Sequence, residues 1–174
     1  MNSKDKPMIT ARLVEGHRVA SGLNGNPRFP GGTLRMQTPH FQKRGFDISH
    51  LYLGTLNVSI APLGYRVVKA RHTFTNVKWH PTEPAEDFSF FDVRVMCPDG
   101  IAVAGYIYYP HPDTKPEHFQ QADVLELLLP FVKGLNYGVT LRLEVPADQM
   151  VFEAPTHQNG IGHAPRKQGV QPVS

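Results

Sequence analysis

The chain has 174 residues and a mass of 19.5 kDa, with 40 % apolar and 19 % charged residues; this is enough for one domain with a core that needs no disulfide or structural metal, and it excludes a disordered composition. Setting aside Lys4, Asp5, Lys6, Arg166 and Lys167 leaves 14 basic and 14 acidic residues, so the net charge of +3 comes from the ends, and the neutral body argues against non-specific nucleic-acid binding. The single Cys97 excludes an intrachain disulfide and a Cys-rich zinc site. There is no run of about 18 apolar residues and no apolar stretch at the polar N-terminus, so neither a membrane span nor a signal peptide is expected and a cytoplasmic protein is the default.

Residues 1–7 read as a flexible leader. Residues 9–14 and 18–21 follow as strands, separated from a further weak strand at 33–37 by a loop rich in Gly and Asn. Thr38 is placed to cap a helix with Pro39 at its first position, running to about Arg44 before Gly45. Strands are then expected over 55–60, 65–70 and 71–79. The run 88–96 is rich in β-formers, Cys97-Pro98-Asp99-Gly100 supplies turn chemistry, and 101–109 is again β-rich, which predicts a hairpin. Residues 123–129 hold good helix formers and end at Pro130, which predicts a second short helix. Val139, Leu141, Leu143 and Val145 alternate with polar residues, the period of a half-buried strand. Residues 155–174 hold almost no large apolar side chains and read as a disordered tail beyond a domain at 8–154. Many short strands with turn signals and few helices predict a mainly β fold, a closed barrel or a sandwich.

The common phosphate-cradle motifs and the nucleophile elbow of the hydrolases are absent. The nine histidines are scattered without ligand spacing, which argues against a His-based metal site. Two loops stand out. In Ser21-Gly22-Leu23-Asn24-Gly25-Asn26-Pro27 the glycines let several backbone N–H groups face one anion, although an ordinary turn has the same composition. In Gly54-Thr55-Leu56-Asn57-Val58, Thr55 and Asn57 project to one side of a strand and offer hard neutral oxygens suited to Mg²⁺; two solvent-facing polar residues would look the same.

Taken in order, these segments resemble the CTP-dependent riboflavin kinases of archaeal type. The resemblance rests on Glu15-Gly16-His17-Arg18-Val19-Ala20-Ser21-Gly22-Leu23-Asn24-Gly25, on Gly45-Phe46 ahead of Gly54-Thr55-Leu56-Asn57-Val58, and on Pro110, a polar loop and Asp123-Val124-Leu125-Glu126-Leu127-Leu128-Leu129-Pro130, read as a family helix. It covers roughly residues 8–152. It implies a six-stranded Greek-key barrel of the cradle-loop type, with one or two short helices. It also implies a kinase of FMN biosynthesis that moves the γ-phosphoryl group of CTP to the 5′-hydroxyl of riboflavin. By the same resemblance Thr55 and Asn57 hold Mg²⁺. Gly22, Leu23, Asn24, Gly25, Asn26 and Lys133 contact the nucleotide, while Glu126 and Thr114 contact the flavin. Glu126 is also the one candidate for a catalytic role, with ribityl binding as its alternative. Tyr106, Tyr108 and Tyr109 are either flavin-site or packing residues. The sequence departs from the family where Asn24-Gly25-Asn26-Pro27 replaces a Gly-Glu-Gly loop, Pro27 having no N–H to give, and where Phe131-Val132-Lys133-Gly134 replaces a basic stretch. A barrel that binds a flavin, a nucleotide or a protein without catalysis is the alternative function.

Overall fold

The structure is a computed structural model that describes residues 7–16, 25–115 and 121–155. The expected strand at 18–21, the first part of the Gly/Asn loop and nearly all of the expected leader and tail lie outside the described residues. The fold is mainly β. Its elements are β1 (Met8–Val14), α1 (Thr33–Lys43), β2 (Leu56–Ser59), β3 (Gly64–Val67), β4 (His72–Val77), β5 (Glu86–Met96), β6 (Ala102–Pro110), β7 (Val124–Leu128), β8 (Thr140–Glu144) and β9 (Met150–Glu153). Seven of the strands form one antiparallel sheet in the order β4-β5-β6-β7-β2-β1-β8, and β8 pairs in addition with β5, so the pairing returns on itself as a ring. β3 and β9 make a separate two-stranded sheet. Among the described residues no helix is long and apolar enough to cross a membrane.

Side-chain alternation divides the interior in two. Ile9, Ala11 and Leu13 of β1, Phe91, Val93 and Val95 of β5, Leu125 and Leu127 of β7, and Leu141 and Leu143 of β8 fill one core within the ring. The other face of β5 and β6 carries Phe88, Phe90 and Tyr108, which pack with Leu34 and Phe41 of α1 in a second, aromatic core. Phe41 meets Phe88 and Phe90 edge to face, with centroids 5.3 and 5.1 Å apart. The hairpin is found as the sequence predicts. β5 and β6 pair from Phe88↔Pro110 to Met96↔Ala102, and Gly100 takes φ +82° in the turn.

Two expectations are corrected. The helix predicted to begin at Thr38 begins at Thr33, so the weak strand placed at 33–37 is its first half and Pro39 lies inside it. Burial of Leu34, Gln37, Thr38 and Phe41 gives the helical period that decides the matter. Pro39 leaves the carbonyl four residues back without its usual donor, and the neighbouring Thr38 hydroxyl donates to the carbonyl of Leu34 at 2.7 Å. The end before Gly45 stands: the Phe46 N–H donates to Phe41 and the Gly45 N–H to Gln42, a Schellman closure with Gly45 at φ +87°. The second correction is larger. Residues 123–129, expected as a helix on their own and by the family resemblance, contain strand β7. β7 lies between β6 and β2, where Leu125 and Leu127 reach the ring core, so ladder pairing and burial override the helix propensity of Leu and Glu. β9 lacked a sequence signal and exists through its pairing with β3.

Candidate functional site

β2 and β7 bring the candidate polar residues together. Their antiparallel register sets Asn57 opposite Glu126, and Val14 near the end of β1 lies on the other side of Asn57. Thr55, just ahead of β2, donates its hydroxyl proton to Oε1 of Glu126 at 3.1 Å. Thr55, Asn57 and Glu126 therefore form one cluster, as the period of two for Thr55 and Asn57 requires. Asn57 is only 7 % exposed, and its Oδ1 is buried with no hydrogen-bond partner among the described residues. Its carboxamide rests against the backbone of Gly16: a Cβ there would stand 1.6 Å from Nδ2 of Asn57. The glycine of the Glu15-Gly16 segment thus makes room for Asn57.

Members of the cluster line two cavities. One, of about 430 Å³, is lined by Thr55 and Asn57 together with Gly16, Tyr52, Phe131 and Tyr137. The other, of about 220 Å³, is lined by Glu126 with Tyr65, Tyr109 and Lys115. The hydrogen bond from Thr55 to Glu126 links the first to the second. The donor set fits Mg²⁺. Thr55 has hydroxyl lone pairs left after donating its proton, and Asn57 presents a carboxamide oxygen whose burial without a donor costs free energy unless something satisfies it. Among the described residues no three His, Cys, Asp or Glu side chains converge to hold a metal.

The other predicted contacts are not gathered into the cavities. Gly25 and Asn26 line neither one; Gly25 is exposed at φ +68°, and Oδ1 of Asn26 accepts the Arg28 N–H at 3.0 Å. Gly22, Leu23 and Asn24 lie outside the described residues. Lys133 is exposed and is absent from the walls of the larger cavity. The Thr114 hydroxyl accepts the Asp87 N–H at 2.9 Å and donates to the His111 carbonyl at 3.2 Å; it fastens the loop after β6, whose Pro112 and Lys115 line the smaller cavity while Thr114 does not. Sequence reasoning missed Tyr52, Tyr65, Phe131 and Tyr137. For Phe131 a signal was present, a large apolar residue in the loop just after Pro130.

The tyrosines separate by environment. Tyr108 turns into the aromatic core and donates to Oε1 of Gln37 at 2.8 Å, a packing role. Full burial, then the charges of Glu126 and Glu86, push its phenol well above its ordinary range. Tyr65 and Tyr109 meet edge to face at 6.2 Å beside the smaller cavity. Burial first, then Tyr109 and the Glu126 carboxylate, push Tyr65 up to about 12 from 10.0. In the fold this phenol keeps its proton after the unfolded chain would have lost it. Its contribution to stability is therefore complete below pH 10 and declines between pH 10 and about 12. Tyr65→Phe should show a shallower loss of thermal midpoint over that window than the parent; parallel curves would contradict the assignment.

No family model matches the chain, and no curated protein matches it.

Proposed function

We propose that the chain is a Mg²⁺-dependent phosphotransferase resembling the CTP-dependent riboflavin kinases, and that its strand ring corresponds to their cradle-loop barrel. One observation carries the reading. Thr55 and Asn57 line one cavity, Glu126 lines another, a hydrogen bond from Thr55 to Glu126 links them, and a buried Asn57 oxygen stands without a partner among the described residues. Two cavities of unequal size on either side of a polar cluster suit two substrates that must meet at one reacting bond. The nucleotide, CTP or a relative, takes the larger cavity and riboflavin enters the smaller.

Phosphoryl transfer asks for positioning and charge neutralisation more than for covalent help. Thr55 and Asn57 would hold Mg²⁺, which when bound neutralises charge building on the transferring phosphate oxygens. Glu126 accepts the Thr55 proton, which fixes the hydroxyl so that its lone pairs are free to face the larger cavity. The same carboxylate accepts a ribityl hydroxyl from the smaller cavity and so orients the acceptor. The apolar walls of both cavities limit water near the transferring group.

The test is fluorescence titration with riboflavin, Mg²⁺ present, with and without CTP, followed by assay of the same tubes for FMN. Saturable quenching with FMN formed is the expected result, and Glu126→Gln should weaken riboflavin more than CTP. Absence of binding by either ligand would sink the reading. Binding without FMN would select the non-catalytic alternative, which has its own support in the exposed Lys133 and the committed Thr114 hydroxyl.

A further inference from the structure

Three aromatic side chains are exposed among the described residues: Tyr52 at 45 %, Phe131 at 74 % and Tyr137 at 57 %. All three line the same cavity, the larger one, whose polar end is Thr55 and Asn57. Aromatic rings left in water forgo a large burial gain, so their convergence on one opening points to a ligand with an apolar face. Tyr52 and Phe131 contact each other at 5.9 Å and 56°, so a flat group lies over the free ring faces and not between them. The Tyr52 N–H donates to the Leu129 carbonyl at 3.0 Å, which ties the segment before Thr55 to the segment carrying Phe131. Tyr52 is three residues from Thr55, so the rim stands within about 11 Å of the polar end along the chain. The cavity therefore has an apolar, ring-lined mouth and an oxygen-donor end, the complement of a nucleotide with its metal-bound phosphates.

Among the described residues, the side chains that line this cavity carry no charge, and its polar ones are Thr55, Asn57 and two tyrosines. None of these described side chains is a carboxylate, guanidinium or ammonium that could read the edge of a base. Lys133, the candidate base or phosphate contact of this segment, stands outside it. We propose that Tyr52, Phe131 and Tyr137 form a stacking platform that holds the base of the phosphate donor by its face, so that purine and pyrimidine nucleotides are accepted alike. This rests on the phosphotransferase reading and departs from a CTP-specific enzyme. Every base offers a π-face, so stacking gives affinity with little choice among bases.

Affinities of CDP, UDP, ADP and GDP, each with Mg²⁺, and of Mg²⁺-pyrophosphate decide the matter on the full chain by calorimetry. The expected result is that the four diphosphates agree to within about tenfold. Phe131→Ala should weaken all four by about tenfold, leaving pyrophosphate and riboflavin unchanged. Phe131 is largely exposed, so the variant should fold, and an unchanged thermal midpoint checks this. Phe131→Leu keeps an apolar side chain without a ring and should weaken binding as Ala does. Three results overturn the platform while leaving a phosphotransferase in place: preference for one base by a hundredfold or more, full affinity in Phe131→Ala, or full affinity in Phe131→Leu. No binding of any diphosphate or of pyrophosphate would overturn both this inference and the reading beneath it.

Discussion

Asn57→Ala should abolish Mg²⁺-dependent FMN formation while shifting stability by no more than about 1 kcal/mol. These two expectations come from one atom. Oδ1 of Asn57 is buried and has no hydrogen-bond partner among the described residues. Leaving such an acceptor unmet costs about 1–3 kcal/mol, so truncation to Ala removes a penalty along with some packing, and the two largely offset. For turnover nothing offsets the loss, because a neutral oxygen donor opposite Glu126 disappears. FMN assay and urea denaturation on the same preparation measure both. Unchanged turnover would remove Asn57 from the metal assignment, and a large loss of stability would make it a structural residue. Gly16→Ala offers a check by another route: its Cβ would drive into the Asn57 carboxamide and reproduce the activity loss with Asn57 still present.

Gly105→Ala should cost about 3 kcal/mol or more, the upper range for overpacking, since its Cβ would meet main chain. Gly105 lies in β6 opposite Val93. A Cβ there would sit 2.1 Å from the Leu128 carbonyl oxygen and 2.7 Å from Cδ2 of Leu129. Side chains can rotate away from such contacts; a carbonyl held in the β6–β7 ladder, where Tyr106 pairs with Leu128, cannot do so without opening the ladder. Gly64→Ala is the control, because its nearest atom, the Glu153 carbonyl oxygen, is 4.0 Å away. The measurement is the urea midpoint and slope of each variant. A Gly105→Ala protein as stable as its parent would show that β6 and β7 do not approach as closely as described.

Where the signal was local, it could be read from the sequence. The β5–β6 hairpin was legible because runs rich in β-formers on both sides met Pro-Asp-Gly turn chemistry, all within about twenty residues of chain. β7 was not, since Val-Leu-Glu-Leu-Leu satisfies helix and strand alike over five residues and its neighbours β2 and β6 decide the outcome. The start of α1 was hidden for a different reason. Gly32 gives no side-chain cap, and Pro39 imitates a first-turn proline from inside the helix. At the site, the spacing of Thr55 and Asn57 predicted a shared face; Glu126 was named only through the family resemblance, and its place beside them comes from β7 pairing with β2. The contact of Gly16 with Asn57 and the convergence of Tyr52 and Phe131 join positions 41 and 79 residues apart, and no local pattern encodes them. The nucleotide contacts carried over to Gly25, Asn26 and Lys133 depended on family loops that this chain replaces, and none of the three is in the walls of the two cavities described above.

The return of β8 to β5 bears on how copies of this chain meet. β5 pairs with β4 and β6 along one half and with β6 and β8 along the other, so among the described residues β4 is the strand of the large sheet left with an unpaired side. That strand is six residues long and loses register between Phe74 and Val77, where Asn76 adopts φ 54°. The Arg44 guanidinium donates to the carbonyls of Thr75 and Asn76 at 2.7 and 3.4 Å, occupying acceptors that another strand would need. A short, kinked and partly occupied border is a poor template for strand addition. The large sheet therefore resists edge-to-edge aggregation at its one open border through the geometry of the strand itself.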